Sequence, residues 1–471
     1  GVQLVRRATC NEVQLVNGAN TLKHFAIVLI AGFVGLAAGC WADRVWAAAG
    51  ADEEAVDLIL SLLGEEDRDM RALAFQQIRE EVPGAAATKK FVAALPKLPP
   101  EVQAGLLEAL GDRGDPIARP AIVAMLESKE PAVRASALKA LGPLGTAEEV
   151  PLLARWAAEG SEAEKKAARQ SLIRLRGEGM NKVIVAAMEK ALPAQRAALI
   201  AALAGRNATE ALPAIIHHLQ DEDGAVRVAA IGALRTLGGP TEAEALVAAI
   251  CRAKQTAEQH AAELALLSLA SRQREKIAGS VTQGLKTAPP PAKVSLLRVL
   301  ARIGNTQALE TIVQCLQDQE QSVRDEAVRL LAVWPDPAVV PHLLALASKS
   351  DNLRDQVLVV RALVQLGSPL KGKPADLQLL SEALRLAKRP QEKRLVLGAL
   401  GLADDPKALS LIAPLLDQAE LVEEAALAAV QVAERIKQAD KSEVRAVLER
   451  AIQKSNNAEV VERAKKLLTS Q

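Results

Sequence analysis

One recurring phrase constrains this chain more than any other feature. Residues 221–240 read DEDGAVRVAAIGALRTLGGP, residues 130–146 read EPAVRASALKALGPLGT, and residues 320–337 read EQSVRDEAVRLLAVWPDP. Aligned on the first Val, the same residue types fall at offsets 0, 4, 8 and 11: Val133, Ala137, Leu141 and Leu144; Val226, Ala230, Leu234 and Leu237; Val323, Ala327, Leu331 and Trp334. That spacing is one apolar stripe of an α-helix, closed each time by Gly or Pro, whereas a strand would alternate.

Weaker copies stand between the strong ones. The stripe opens at Met70, Val102, Val133, Ala167, Gln195, Val226, Gln259, Ala292, Val323, Asp355, Gln391 and Val422, a mean spacing of 32 residues over eleven intervals, with a fainter copy from Val460. A second amphipathic segment follows each stop, as in ALPAIIHHLQD (211–221), ALETIVQCLQD (308–318) and ALSLIAPLLDQ (408–418). Each unit is therefore a helix, a turn and a second helix. Such a unit buries too little apolar surface alone to offset its conformational entropy, so neighbours must share one core.

Composition agrees with helix packing. Half the residues are apolar, yet aromatics make up 2% and Tyr is absent, so the core is Ala, Leu, Val and Ile. The reading is all-α: a right-handed α-solenoid of about twelve stacked two-helix repeats over residues 50–440, with the more highly charged segment 441–471 as a C-terminal helical cap.

The pattern L-x-D-x-x-x-x-V-R-x-x-A-x-x-x-L-x-x-L-G resembles HEAT repeats, in their short form, over roughly residues 52–471. In that family the Asp closing one unit and the Arg opening the next hydrogen-bond along the stack. The resemblance implies this inter-repeat role for Asp221 with Arg227, for Asp318 with Arg324, and for Arg134, whose acidic counterpart Glu127 stands one residue further away. It also implies a scaffold that binds a protein partner along its concave face.

The amino terminus reads differently. The run KHFAIVLIAGFVGLAAGCWADR (23–44) carries no Asp, Glu, Lys or Arg between Lys23 and Asp43, the pattern of a secretory signal or membrane anchor over residues 22–49. Three endings fit: cleavage after VWA (45–47) or AAA (47–49), lipidation of Cys40 because LAAGC resembles a bacterial lipobox, or no cleavage and a single span of about 20 residues. Residues 1–21 precede this run and are expected to be a non-native or disordered leader. Basic residues before the run place the rest of the chain outside the cytoplasm, in the periplasm or at the cell surface, tethered to the membrane through its N-terminus or secreted.

Charge and chemistry narrow the function. With 58 basic and 57 acidic residues the net charge is +1, which offers no field for nucleic acid, and none is expected as a partner. The basic stretches 164–182 and 385–394 read as solvated helix faces. Cys10, Cys40, Cys251 and Cys315 show no metal-knuckle or CxxC spacing, and Cys251 and Cys315 lie in apolar segments as core thiols. His217 and His218 are adjacent on a helix, about 100° apart, which is poor geometry for one metal. SLAS (268–271) lacks a triad arrangement, no phosphate-binding glycine loop exists, and DEDG (221–224) lacks the rest of a calcium loop. No cofactor and no catalysis are expected. The leading reading is a non-catalytic protein-interaction scaffold of the bacterial envelope; the alternatives are a bilin-lyase-like enzyme or subunit on the same kind of stack, and a structural spacer without a specific ligand.

Overall fold

The computed structural model describes residues 53–436 and 441–470. The described residues are helical, with no strand beyond one isolated bridge between Leu370 and Lys373. The chain divides into two compact units, up to Ala118 and from Arg119 onwards.

The first unit holds α1 (53–63), α2 (Arg68–Glu80), α3 (Ala85–Ala94) and α4 (Pro100–Arg113). α2 packs on α4, and Phe91 of α3 is fully buried. Lys90 of α3 pairs with Glu53 and Asp57 of α1 at 3.2 and 3.0 Å.

In the second unit the first helices of successive repeats are α6 (Pro131–Leu144), α8 (Glu162–Arg174), α10 (Pro193–Gly205) and α12 (Gly224–Leu237), followed by the start of α14 (Thr256–Thr287), then α15 (Pro290–Ile303), α17 (Gln321–Ala332), α19 (Leu353–Gly367), α21 (Pro390–Leu400) and α23 (Val422–Arg435). The second helices are α5 (Arg119–Ala124), α7 (Val150–Glu159), α9 (Met180–Lys190), α11 (Leu212–His217), α13 (Ala243–Arg252), the end of α14, α16 (Thr306–Gln314), α18 (Val340–Lys349), α20 (Leu377–Leu386), α22 (Lys407–Ile412) and α24 (Lys441–Lys454). α25 (Ala458–Ser470) closes the described chain and packs on α23 and α24. α14 turns between its two halves at Gln273, the one residue in it with non-helical dihedrals.

The repeat spacing maps onto this order. Every stripe found in the sequence, Met70 through Val460, lies on a first helix, and each first helix of the second unit from α6 to α25 packs on the next one in line. The stripe residues Val133, Ala137, Leu141, Val226, Ala230, Leu234, Val323, Ala327 and Leu331 are buried. Two positions are corrected by a residue: in α21 the buried stripe is Glu392, Val396 and Leu400, continued by Ala403 beyond the helix, whereas Gln391 is exposed; in α14 it is Glu258, Ala262, Leu266 and Leu269, whereas Gln259 and Leu267 are half-buried. The connection at residues 368–376, which turns at Gly372 (φ 81°), lengthens the repeat before α21.

Local signals start and stop these helices. Proline is the first residue of α4, α6, α10, α15 and α21, where its missing N–H costs no hydrogen bond. Asp223, Asn305, Asn352 and Asp376 cap helix starts with side-chain oxygens. Gly114 and Gly304 end α4 and α15 with φ of 74° and 70°, a conformation that favours glycine.

Small residues set the closest helix contacts. A Cβ built on Gly284 would lie 2.1 Å from Val247 Cγ1, so the end of α14 meets α13 with no room for a methyl group. Gly284→Ala should therefore destabilise the fold by about 1–3 kcal/mol in urea denaturation, and Val247→Ala in the same chain should recover part of that loss. An unchanged midpoint in the single variant would contradict this close packing.

Candidate interaction surface and the polar seams beside it

The turns that join one repeat to the next carry a repeated arrangement. Arg227 Nη1 donates to the backbone carbonyls of Asp221 and Glu222 at 2.6 and 2.8 Å. Arg324 Nη1 donates to Asp318 O and Gln319 O at 2.6 and 2.7 Å, and Arg134 Nη1 to Ser128 O and Lys129 O at 2.8 and 3.1 Å. In α19 the same role falls to Gln356, which donates to Ser350 O at 2.9 Å. The turn residue in register with Asp221 and Asp318 is thus Ser128, not Glu127.

The carboxylates point elsewhere. Asp221 Oδ1 accepts the Asp223 N–H at 3.0 Å, which fixes the side chain so that Oδ2 faces Arg196 Nη1 at 2.7 Å, at the start of its own repeat. Asp318 is built alike: Oδ1 accepts the Glu320 N–H at 3.0 Å, and Oδ2 faces Lys293 Nζ at 2.6 Å. Arg227 and Asp221 therefore meet through guanidinium and backbone carbonyl, with the carboxylate engaged by a different cation. Arg227 also pairs with Glu258 and Arg134 with Glu164 (2.7 Å), both at the start of the following first helix. Burial pushes the Glu164 and Asp221 carboxyls up, but hydrogen bonds from backbone N–H groups and arginine hold both below their ordinary values. The Arg227 hydrogen bond, opposed by burial, lowers Glu258.

A second seam follows the ends of the first helices, and no periodic signal in the sequence points to it. Arg206 at the end of α10 donates from Nη1 to Leu172 O, Ile173 O and Leu175 O at the end of α8 (3.1, 2.8 and 2.7 Å). Arg113 does the same to Ile78 O at 2.8 Å, Arg272 to Arg235 O at 3.0 Å, and Arg435 to Gly401 O at 3.3 Å. The last carbonyls of a helix lack internal partners and carry negative partial charge, so a cation from the neighbouring repeat satisfies both needs. These arginines stand at offsets that vary by two residues, which hides them from a strict repeat count. A third contact, between Arg298 of α15 and Glu326 of α17 at 2.8 Å, extends to Glu263 of α14 at 3.3 Å.

The second helices carry a repeated apolar position of their own. The residue after the buried one is apolar and half-buried at the same place in four of them: Val185 after Ile184, Ile216 after Ile215, Ala248 after Val247, and Leu344 after Leu343. Between α9 and the α11 segment lies a cleft of about 550 Å³ lined by Val185, Met188, Glu189, Arg196, Ala214, His217, His218, Gln220 and Asp221. His218 Nδ1 is 3.3 Å from Asp221 Oδ2; burial pushes the imidazole below its ordinary value of 6.5, outweighing the opposing pull of Asp221. The His217 and His218 rings meet edge to face at 5.6 Å.

Cys315 is buried, with its thiol pushed up to about 11 by desolvation, and Cys251 is half-buried. Trp334 is buried; Trp156 is half-buried with Arg134 5.8 Å above its ring, and its buried indole N–H has no hydrogen-bond partner among the described residues. Among the described residues no three His, Cys, Asp or Glu side chains are grouped to hold a metal, and no helix is long and apolar enough to cross a membrane. Cys40 and the apolar run around it lie outside the described residues.

Comparison with known proteins agrees with the repeat geometry. The family described as HEAT repeats matches residues 88–173, 181–267, 280–363 and 309–391, together more than half of the chain. The chain belongs to the HEAT-repeat family. Among solved structures, this HEAT-repeat chain is similar to Kap121p bound to Ste12p (12% identity, TM-score 0.50, covering 96% of this chain and 57% of that one) and to Kap121p bound to Nup53p (12%, 0.50, 88% and 53%). It spans a little over half the length of those proteins, and at that identity the likeness concerns the fold. No curated protein matches by sequence.

The seam contacts differ in weight. Arg227→Met would leave Glu258 buried without its cation and should cost about 3 kcal/mol. Arg324→Met, whose hydrogen bonds go to turn carbonyls and Gln321 without a hydrogen-bonded carboxylate, should cost about 1 kcal/mol. Urea denaturation of both variants orders them; equal losses would mean that the buried carboxylate does not set the scale.

Proposed function

We propose that this HEAT-repeat chain is a non-catalytic scaffold that receives a segment of a partner protein along the face formed by its second helices, the concave face expected of such a stack. The observation that supports this reading is the repeated half-buried apolar position, Val185, Ile216, Ala248 and Leu344, with the α9–α11 cleft beside it. Partner contacts spread over several repeats need such a surface, and the polar side chains of both seams are already engaged within the protein. A photo-crosslinking residue placed at each of these four positions should capture the same discrete partner, whereas exposed first-helix positions Ala201, Gly232 and Gly398 should not. Capture from the first-helix positions alone would overturn the assignment.

The finer reading places this scaffold in the bacterial envelope, outside the cytoplasm and tethered at its N-terminus. It is supported by the charge-free run before Asp43 and by Cys40 in LAAGC. Mass spectrometry of the mature protein from native membranes should find either a diacylated Cys40 as first residue or the apolar run intact. A soluble product starting beyond residue 44 with no lipid would exclude the tether.

A further inference from the structure

We infer that the cleft between α9 and the α11 segment takes one long cationic side chain, lysine or arginine, from an extended segment of the partner protein. This rests on the scaffold reading above and names the chemistry of one of its contacts.

Most of the charges in the cleft are already engaged. Arg196 donates to Met188 O, Ala191 O and Asp221, and Asp221 accepts from Arg196 and from the Asp223 N–H, so this pair is closed on itself. His218 lies against Asp221, and burial lowers its affinity for a proton. Glu189 is different: it is exposed, lines the cleft, and has no hydrogen bond or ion pair with any described residue. It also stands in the last turn of α9, where the carbonyl ends of the helix add negative potential instead of compensating the carboxylate. The cleft therefore carries one unmatched negative charge and a helix end of the same sign.

The walls fit the rest of such a side chain. Val185, Met188 and Ala214 give an apolar surface for a methylene stem, and His217 and Gln220 offer polar atoms near the rim. A carboxylate would meet Glu189 and the helix end with like sign. A purely aliphatic side chain would fill the space but leave Glu189 desolvated and unpaired, which disfavours it relative to a cation.

Met188 supplies the readout. The chain has four methionines, and of these only Met188 lines the cleft, so methyl-¹³C methionine spectra of the full chain isolate it; Met188→Leu assigns the signal. Acetylated pentapeptide amides with a central Lys, Arg, norleucine or Glu between alanines are the probes. The Lys and Arg peptides should shift the Met188 methyl saturably at millimolar concentration, the norleucine peptide should bind at least about threefold more weakly, and the Glu peptide should give no shift. Glu189→Gln should remove that preference for the cation, and Ala214→Trp should remove the shift with the Met180 methyl signal unchanged. A norleucine or Glu peptide that binds as well as Lys, a preference that survives Glu189→Gln, or no saturable shift with any peptide would overturn the inference. The crosslinking experiment separates the two readings: capture at Ile216, Ala248 and Leu344 that persists undiminished in Glu189→Gln and Ala214→Trp leaves the scaffold standing without this contact.

Discussion

The structure depends on an apolar stripe that no single helix can bury. Ala at the second stripe position lets neighbouring first helices approach, and Leu or Val at the flanking positions fills the space between layers, so each repeat completes the core of the next. Nothing in that arrangement requires aromatic residues, which explains how a chain with 2% aromatics and no Tyr builds an extensive interior. The close approach of Gly284 to Val247 belongs to the same economy of volume.

Polar groups are arranged around this core instead of within it. The turn arginines tie a first helix to the carbonyls before it and, in Arg134 and Arg227, to a carboxylate in the repeat after it. The helix-end arginines join successive first helices through carbonyls that would otherwise lack partners. Both devices use the geometry of helix termini, and both hold adjacent layers in register. What they leave unengaged is the half-buried row on the second helices and Glu189 at the cleft.

The fold was legible because periodicity survives weak copies: degenerate intervening copies do not erase a stripe that returns every 32 residues or so. The Gln391 and Gln259 copies slipped by one residue because the two candidate openings are polar at each place, Gln391 with Glu392 and Gln259 with Glu258, leaving hydropathy no means to choose. The Asp221 and Arg227 pair was visible as a spacing, yet which atom of Asp221 meets the guanidinium depends on the Asp223 N–H claiming the carboxylate, a three-dimensional fact. The helix-end arginines and the cleft had no signature: the former vary in offset, and the latter joins residues 185–189 to 214–221 across two repeats. Glu189 reads in sequence as one more solvated charge.

The connection at 368–376 has a further consequence. It closes on itself, with the Leu370 N–H bonded to Lys373 O, the Lys373 N–H to Leu370 O, and the Asp376 N–H returning to Gly367 O, so its added length is confined to one corner of one module. Both flanking helices keep their caps and their neighbours. A corner that tolerates extra backbone in this way is a natural grafting point, where lineages or designers can append recognition sequence to the array without retuning the stacking of any layer.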